Sequence, residues 1–290
     1  MEISVVIVSY NVCDLLRMAL KSLITAAQAT EHEIIVVDNN SSDGSAEMIR
    51  QEFPAVRLIV SVSNEGFASA CNRGIQASSG EYVLILNPDT VTRPDAIIKA
   101  LDFMKTHPDA GAAGAHMTDD NGRFLPESKR GFPSPLAALF KFTGLYRIFP
   151  HSAFFNAYYL GDFSENETCP ADILTGAFML IRRKALDMTG LFDDSFFMYG
   201  EDIDLSWRIR QAGFTNYYLH DVHITHFKGS SSGQNRDSSV RHFWDAMTIF
   251  AEKHLQKGWH IPVRTAVSLL MRLSLTRLRV ARMVKKRIHS

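Results

Sequence analysis

Three runs of aliphatic and β-branched residues, at 3–8 (ISVVIV), 34–37 (IIVV) and 82–86 (YVLIL), alternate with stretches of helical period, and this alternation most restricts the fold. A strand that is apolar at every position has to be covered on both faces. Leu15, Leu16, Leu20, Leu23 and Ile24 follow the first run at helical spacing. Residues 46–52 read as a short helix, 56–60 as a further strand, 66–77 as a helix of small residues, and Pro94 to about His107 as another helix. Strand and helix alternating in this way predict an α/β fold, a mostly parallel sheet flanked by helices. Beyond residue 110 the pattern loosens. Residues 129–159, rich in Phe, Pro and Gly without a clean period, read as a long insertion with short helices that walls a substrate cleft. Residues 173–183 return to strand character with a break at Gly176, 201–211 read as a helix, and 217–219 and 222–225 as two strands.

In a parallel sheet, ligands bind beyond the carboxyl ends of the strands. Polar loops stand at those ends: Ser9-Tyr10-Asn11 after Val8, Asp38-Asn39-Asn40, Asn64-Glu65-Gly66, and Asn87-Pro88-Asp89. A carboxylate at a strand tip, such as Asp89, suits a hard divalent cation that also holds phosphate oxygens. Asp38 can accept hydrogen bonds from a nucleobase or ribose, or else cap a turn. Asn72 and Arg73 lie on the small-residue helix, whose start is a natural anion site. A second acidic focus, Glu201-Asp202-Ile203-Asp204, follows the aromatic run 196–199 and Gly200. The helix dipole accounts for one or two acids in a first turn. Helical spacing puts Glu201 and Asp204 on one face and leaves Asp202 to enter the cleft, desolvated against the aromatic run as a general base, with Arg208 bracing Asp204. His226, at a strand end before a Gly/Ser loop, is a candidate metal or phosphate ligand.

The motifs at 8–11 (VSYN), 37–45 (VDNNSSDGS), 64–74 (NEGFASACNRG), 86–90 (LNPDT), 174–177 (LTGA), 201–205 (EDIDL) and 226–229 (HFKG) together resemble glycosyltransferase family 2, the inverting enzymes of the GT-A (Rossmann-like) fold, and within it bacterial rhamnosyltransferases of cell-surface polysaccharide biosynthesis. The resemblance implies a nucleoside-diphosphate sugar donor, dTDP- or UDP-linked, with Mg²⁺ or Mn²⁺ and transfer with inversion to a lipid-linked or oligosaccharide acceptor. By it Asp38 holds the base, Asp89 is the metal-binding acid of a DXD-like motif, and Asp202 is the catalytic base. Asn87 replaces the first acid of that motif, which shifts metal binding onto Asp89 and His226. Val8, Ser9, Tyr10, Asn11, Asn40, Asn64, Gly66, Asn72, Arg73, Asn87 and Pro88 are then expected around the donor. Gly176, Ala177, Glu201, Asp204, Trp207 and Arg208 are expected on the acceptor side. A glycosyltransferase domain would span 1–230, with a nucleotide-binding half at 1–115 and an acceptor half at 116–230. The competing readings are a nucleotidyltransferase and a sugar-nucleotide-binding protein without turnover.

Charge adds a partner. The 290 residues carry 31 basic and 31 acidic side chains, but residues 262–290 hold eight Lys/Arg and no acid, which leaves 23 basic against 31 acidic, a net of −8, in residues 1–261. On a helical projection Arg264, Arg272, Arg279, Arg282 and Lys286 gather opposite Val267, Leu270, Leu273, Leu278 and Val284, while Arg277 and Lys285 break the separation. Residues 231–290 are therefore expected to form a helical region whose basic amphipathic tail lies on an anionic membrane; packing on the domain or in a homodimer is the alternative. The expected location is cytoplasmic, at the inner face of the plasma membrane. Nucleic acid is not an expected partner of so acidic a body. The three scattered cysteines, Cys13, Cys71 and Cys169, lack a CxxC pair and are expected to stay reduced.

Overall fold

In a computed structural model, which describes residues 1–227 and 236–254, the first apolar run becomes β1 (Ile3–Ser9), buried along its whole length. Its side chains leave alternately for the two faces of the sheet. Ile3, Val5 and Ile7 meet Leu16, Leu20 and Leu23 of α1 (Cys13–Ala27). Val6 and Val8 join a second core on the opposite face. The chain continues through β2 (His32–Asp38), α2 (Ser45–Glu52), β3 (Arg57–Val60), α3 (Phe67–Gln76), β4 (Tyr82–Leu86), β5 (Thr90–Thr92), α4 (Ala96–Thr106) and β6 (Ala110–Thr118). After the insertion helices α5 (Pro135–Thr143) and α6 (Leu145–Ile148) come β7 (Cys169–Pro170), β8 (Phe178–Arg182), α7 (Arg183–Thr189), α8 (Glu201–Gln211), β9 (Thr215–His226) and α9 (Arg236–His254).

One sheet runs β3-β2-β1-β4-β8-β6-β9-β5, with β7 on β9. The strands β3, β2, β1 and β4 are mutually parallel, as the alternation predicts. β8 then runs antiparallel to both β4 and β6, while β6 and β9 are parallel. β6 crosses the division expected at 115/116, so the two halves share an unbroken sheet. That strand, AGAAGAHMT, carries no β-branched residue before its final Thr and is invisible to a reading based on such runs. Its smallness has a packing cause: a Cβ on Gly111 would lie 2.5 Å from the Ile209 side chain of α8. The two strands expected at 217–219 and 222–225 are one strand, β9, whose pairing slips between Leu219 and His223 where it passes Ala115 and His116.

The insertion contains α5, α6 and short 3₁₀ turns at Pro126–Ser128 and Ala157–Tyr159. It is pinned at its root, where Arg130 and Ile173 exchange backbone hydrogen bonds. The buried Lys129 ammonium ties the ends together by donating to the carbonyls of Leu160 and Phe163. Ala246 and Phe250 of α9 are buried with Ile173, Phe196 and Ile203. Cys71 and Cys169 are buried thiols and Cys13 is partly exposed. Among the described residues no helix is long and apolar enough to cross a membrane. The basic tail at 262–290 lies outside them.

Candidate active site

The carboxyl ends of β1, β2 and β4 open on a cavity of about 700 Å³, closed from the other side by residues 198–203, the insertion and α9. On the first wall Val8, Tyr10 and Asn39 line the cavity, while Ser9, fully buried, and Asp38, 1% exposed, stand at the same strand ends without lining it. Asp38 Oδ2 accepts from the Ser41 amide at 3.0 Å, and its Oδ1 is buried without a hydrogen-bond partner. Asn11, at φ 53°, accepts from the Ser42 amide and binds the first loop to the second. Asn40 also adopts a left-handed conformation but is exposed. Asn39 turns inward in its place and lines the cavity, where its amide group donates to Asn64 Oδ1 and the Gly66 carbonyl and its oxygen accepts from the Glu65 amide.

That loop carries the junction between the halves. The Phe67 amide donates to the Phe197 carbonyl at 2.8 Å, and a Cβ on Gly66 would stand 2.5 Å from the same oxygen. Gly66 has φ 84°, so both backbone conformation and space exclude a side chain. Asn72 does not reach the cavity. It donates to the Phe192 carbonyl and Asp194 and accepts from the Phe192 amide, clamping α3 to the segment before the aromatic run. Arg73 likewise turns aside, to Ser61 and Glu65, because those partners lie within reach of its own end of the helix.

At the tip of β4, Asn87, Pro88 and Asp89 line the cavity. The Asp89 carbonyl accepts from the Phe227 amide, which brings His226 alongside: His226 Nε2 lies 3.1 Å from Asp89 Oδ1. His226 Nδ1 is buried without a hydrogen-bond partner. A carboxylate oxygen and an imidazole nitrogen at this spacing form a donor set that fits a divalent cation sharing its other positions with phosphate and water. No group of three or more His, Cys, Asp or Glu suited to a metal occurs among the described residues. Gly176 and Ala177 lie beside this tip, the Asn87 amide donating to the Ala177 carbonyl.

On the facing wall, Tyr199 (φ 70°) and Gly200 (φ 85°) turn the chain sharply into α8. A tyrosine in the left-handed region stores strain that the surrounding packing must hold. The turn presents both Glu201 and Asp202 to the cavity, whereas the spacing argument predicts Asp202 alone. The Arg130 guanidinium meets Asp202 Oδ2 at 2.6 Å and donates also to the Leu174 carbonyl. The desolvation expected at Asp202 falls on Glu201, which is 6% exposed with Oε2 unpartnered. Burial, reinforced by the neighbouring Asp202 charge, pushes the Glu201 carboxyl up to about 8. Burial works against the charge of Arg130, but the charges and hydrogen bonds of Asp202 and Tyr158 together outweigh it and raise the already high affinity of Arg130 for its proton.

Asp204 and Arg208 pair as predicted, at 2.7 Å, but away from the cavity. His254 of α9 also reaches Asp204 at 2.7 Å, and Arg208 donates to carbonyls at 189–191, so the group fastens α8 to its neighbours. Trp207 packs its ring on Phe132 at the root of the insertion. Sequence reasoning missed Arg130, Lys141 and Tyr158 as individuals, although the insertion bearing them is an expected wall, and it missed Phe243 and Trp244 of α9.

A sequence model of glycosyl transferase family 2 matches residues 4–189. The chain is 30% identical over 275 residues, 90% of its length and 87% of the relative's, to an N-acetylglucosaminyl-diphospho-decaprenol L-rhamnosyltransferase of Mycobacterium tuberculosis. It is 28% identical over 214 residues, 71% of its length and 45% of the relative's, to a poly-beta-1,6-N-acetyl-D-glucosamine synthase of Staphylococcus epidermidis. Among solved structures, S. aureus TarS 1-349 in complex with UDP-GlcNAc shares the fold with a TM-score of 0.58 at 18% identity, over 94% of this chain and 73% of that one. The mannosyltransferase PcManGT of Pyrobaculum calidifontis, in complex with GDP-Man and Mn²⁺, does so with a TM-score of 0.59 at 17% identity, over 98% and 80%. The fold is therefore GT-A, and its mixed sheet is that of these neighbours.

Proposed function

The chain belongs to glycosyl transferase family 2 and is a glycosyltransferase, and on that premise we propose that it moves L-rhamnose, with inversion, from a nucleoside-diphosphate sugar to a hydroxyl of a lipid-linked, N-acetylglucosamine-bearing acceptor. The name of the mycobacterial relative supports the sugar and the acceptor. The observation that carries the reaction is the arrival of Asp89, past the tip of β4, and Asp202, in the first turn of α8, in the walls of one cavity. Nucleotidyl transfer and binding without turnover give way to family membership.

In this reading Asp38, whose Oδ1 is unpartnered, accepts from the nucleobase or ribose of a donor that enters past Tyr10 and Asn39 of the cavity wall. Asp89 and His226 would hold Mg²⁺ or Mn²⁺, which supplies charge stabilisation to the departing diphosphate. Asp202 accepts the proton of the acceptor hydroxyl as that oxygen attacks the anomeric carbon from the side opposite the diphosphate. General-base assistance of this kind contributes about 10²–10⁴ in rate. Arg130, hydrogen-bonded to Asp202 Oδ2, holds that carboxylate in place at the cavity wall. The tail at 262–290 would bind the anionic inner face of the membrane, where a lipid-linked acceptor resides.

A thermal-shift screen of dTDP-, UDP- and GDP-sugars with Mg²⁺ or Mn²⁺ tests the donor, with dTDP-rhamnose expected to stabilise most. Asp202→Asn is expected to keep that donor shift and lose at least a hundredfold in transfer, within the range for a general base. Transfer above a tenth of wild type would remove Asp202 from the role.

A further inference from the structure

The family and the proposed reaction leave one surface unexplained, the outer face of the insertion. Between Glu127 and Asp162 there are 34 residues without a single Asp or Glu, in a body that is net acidic, and they include Lys129, Arg130, Lys141, Arg147 and nine Phe or Tyr. Of the 14 large apolar side chains exposed among the described residues, five fall within 136–154: Leu136, Leu139, Ile148, Phe149 and Phe154. They are not scattered. Phe154 packs on Phe140 at 5.2 Å and Phe155 stacks on Phe149 at 4.7 Å, so the exposed rings are the outer members of one aromatic cluster carried by α5, α6 and the following loop. Ile148 is 68% exposed and Phe154, despite its contact with Phe140, 59%, which leaves much apolar area in water.

We propose that this face, residues 136–154, is a docking surface for an anionic lipid bilayer, separate from the basic tail. Exposed Leu, Ile and Phe enter the acyl boundary, while Lys141 and Arg147, whose charges lie over Tyr158 and Tyr146, remain at headgroup level. The absence of acids makes the charge complementary to anionic lipid, which a protein-facing patch would not need. The position also has a use: Lys141 and Tyr158 line the cavity as well, so the docked face adjoins its mouth. The surface stands whether or not the sugar and acceptor are as proposed above.

The test places a bimane label at Ile148→Cys, and as control at Val62→Cys, which is 92% exposed, in full-length protein carrying Cys13→Ser. Vesicles of phosphatidylglycerol and phosphatidylcholine in equal parts are expected to blue-shift the label at 148 and expose it to a lipid-borne quencher. The label at 62 is expected to stay unshifted, and phosphatidylcholine alone to give a much weaker response. The triple variant Leu139→Gln, Ile148→Gln, Phe154→Gln is expected to bind such vesicles about tenfold more weakly, with transfer to a water-soluble acceptor unchanged. An unshifted label at 148 on protein that sediments with vesicles would overturn the proposal, as would failure to bind vesicles at all. A shift that follows protein concentration without lipid would assign the face to a second copy of the chain instead.

Discussion

Arg130 bridges the Leu174 carbonyl and Asp202 with its side chain 11% exposed, so removing it strands a carboxylate beside a second one, Glu201. Arg130→Met is expected to cost about 3 kcal/mol in chemical denaturation, the scale of breaking a buried ion pair, and to lower kcat at least tenfold with little change in donor affinity. Glu201 gives a pH signature. Its carboxyl titrates at about 8 folded against 4.5 in the free chain, so between those values the folded state binds more protons and stability falls as pH rises. The slope approaches about 1.4 kcal/mol per pH unit in that window. Glu201→Gln is expected to flatten it, gaining stability at pH 8 relative to pH 5 when unfolding is followed in urea. At this scale the sequence is legible where geometry is local. Asp38 and Asp89 follow buried strands, and Asp202 opens a helix. Arg130 is illegible because its partner is 72 residues away and its segment has no period. The exchange of Asn40 for Asn39 has a similar cause, since past the last paired residue of β2 the pleat no longer dictates which side chain turns inward.

Elements with a strong period, such as α1, are found where their pattern puts them, and β6 is not, because its alanines and glycines answer to α8 above it rather than to any propensity of their own. The reversal at β8 is likewise unwritten in any short window; it depends on which neighbour the strand finds. Contacts between elements are where a small substitution should act furthest. Gly66→Ala would force a methyl against the Phe197 carbonyl at a positive φ, and is expected to cost about 2 kcal/mol or more. Because the same contact seats residues 196–200, kcat is expected to fall with it even though no acid, base or metal-binding group has changed. Parallel urea titrations and steady-state assays of the variant check both effects. Native stability with native turnover would show that the two loops are not coupled.

For the whole molecule, charge is arranged in opposed regions: a body of net −8 over residues 1–261 and eight cations in 262–290. A truncation ending at Gly258 is expected to float less with anionic vesicles than the full chain, and increasingly alike as salt screens both. Equal flotation at low salt would exclude the tail as an anchor. The tail is plain from composition alone, whereas the insertion's outer face needs coordinates to show which apolar residues remain uncovered. The reversal of β8 also fixes what can vary. Since Leu86 pairs with Phe178 and the Asn87 amide donates to the Ala177 carbonyl, the rim that carries Asp89 and the rim that carries Gly176 are rungs of one ladder and cannot drift apart. Change is left to the long excursion between strands. The segment between β6 and β7 lies outside that ladder, so it can be lengthened, shortened or replaced with the spacing of the two rims left as it is.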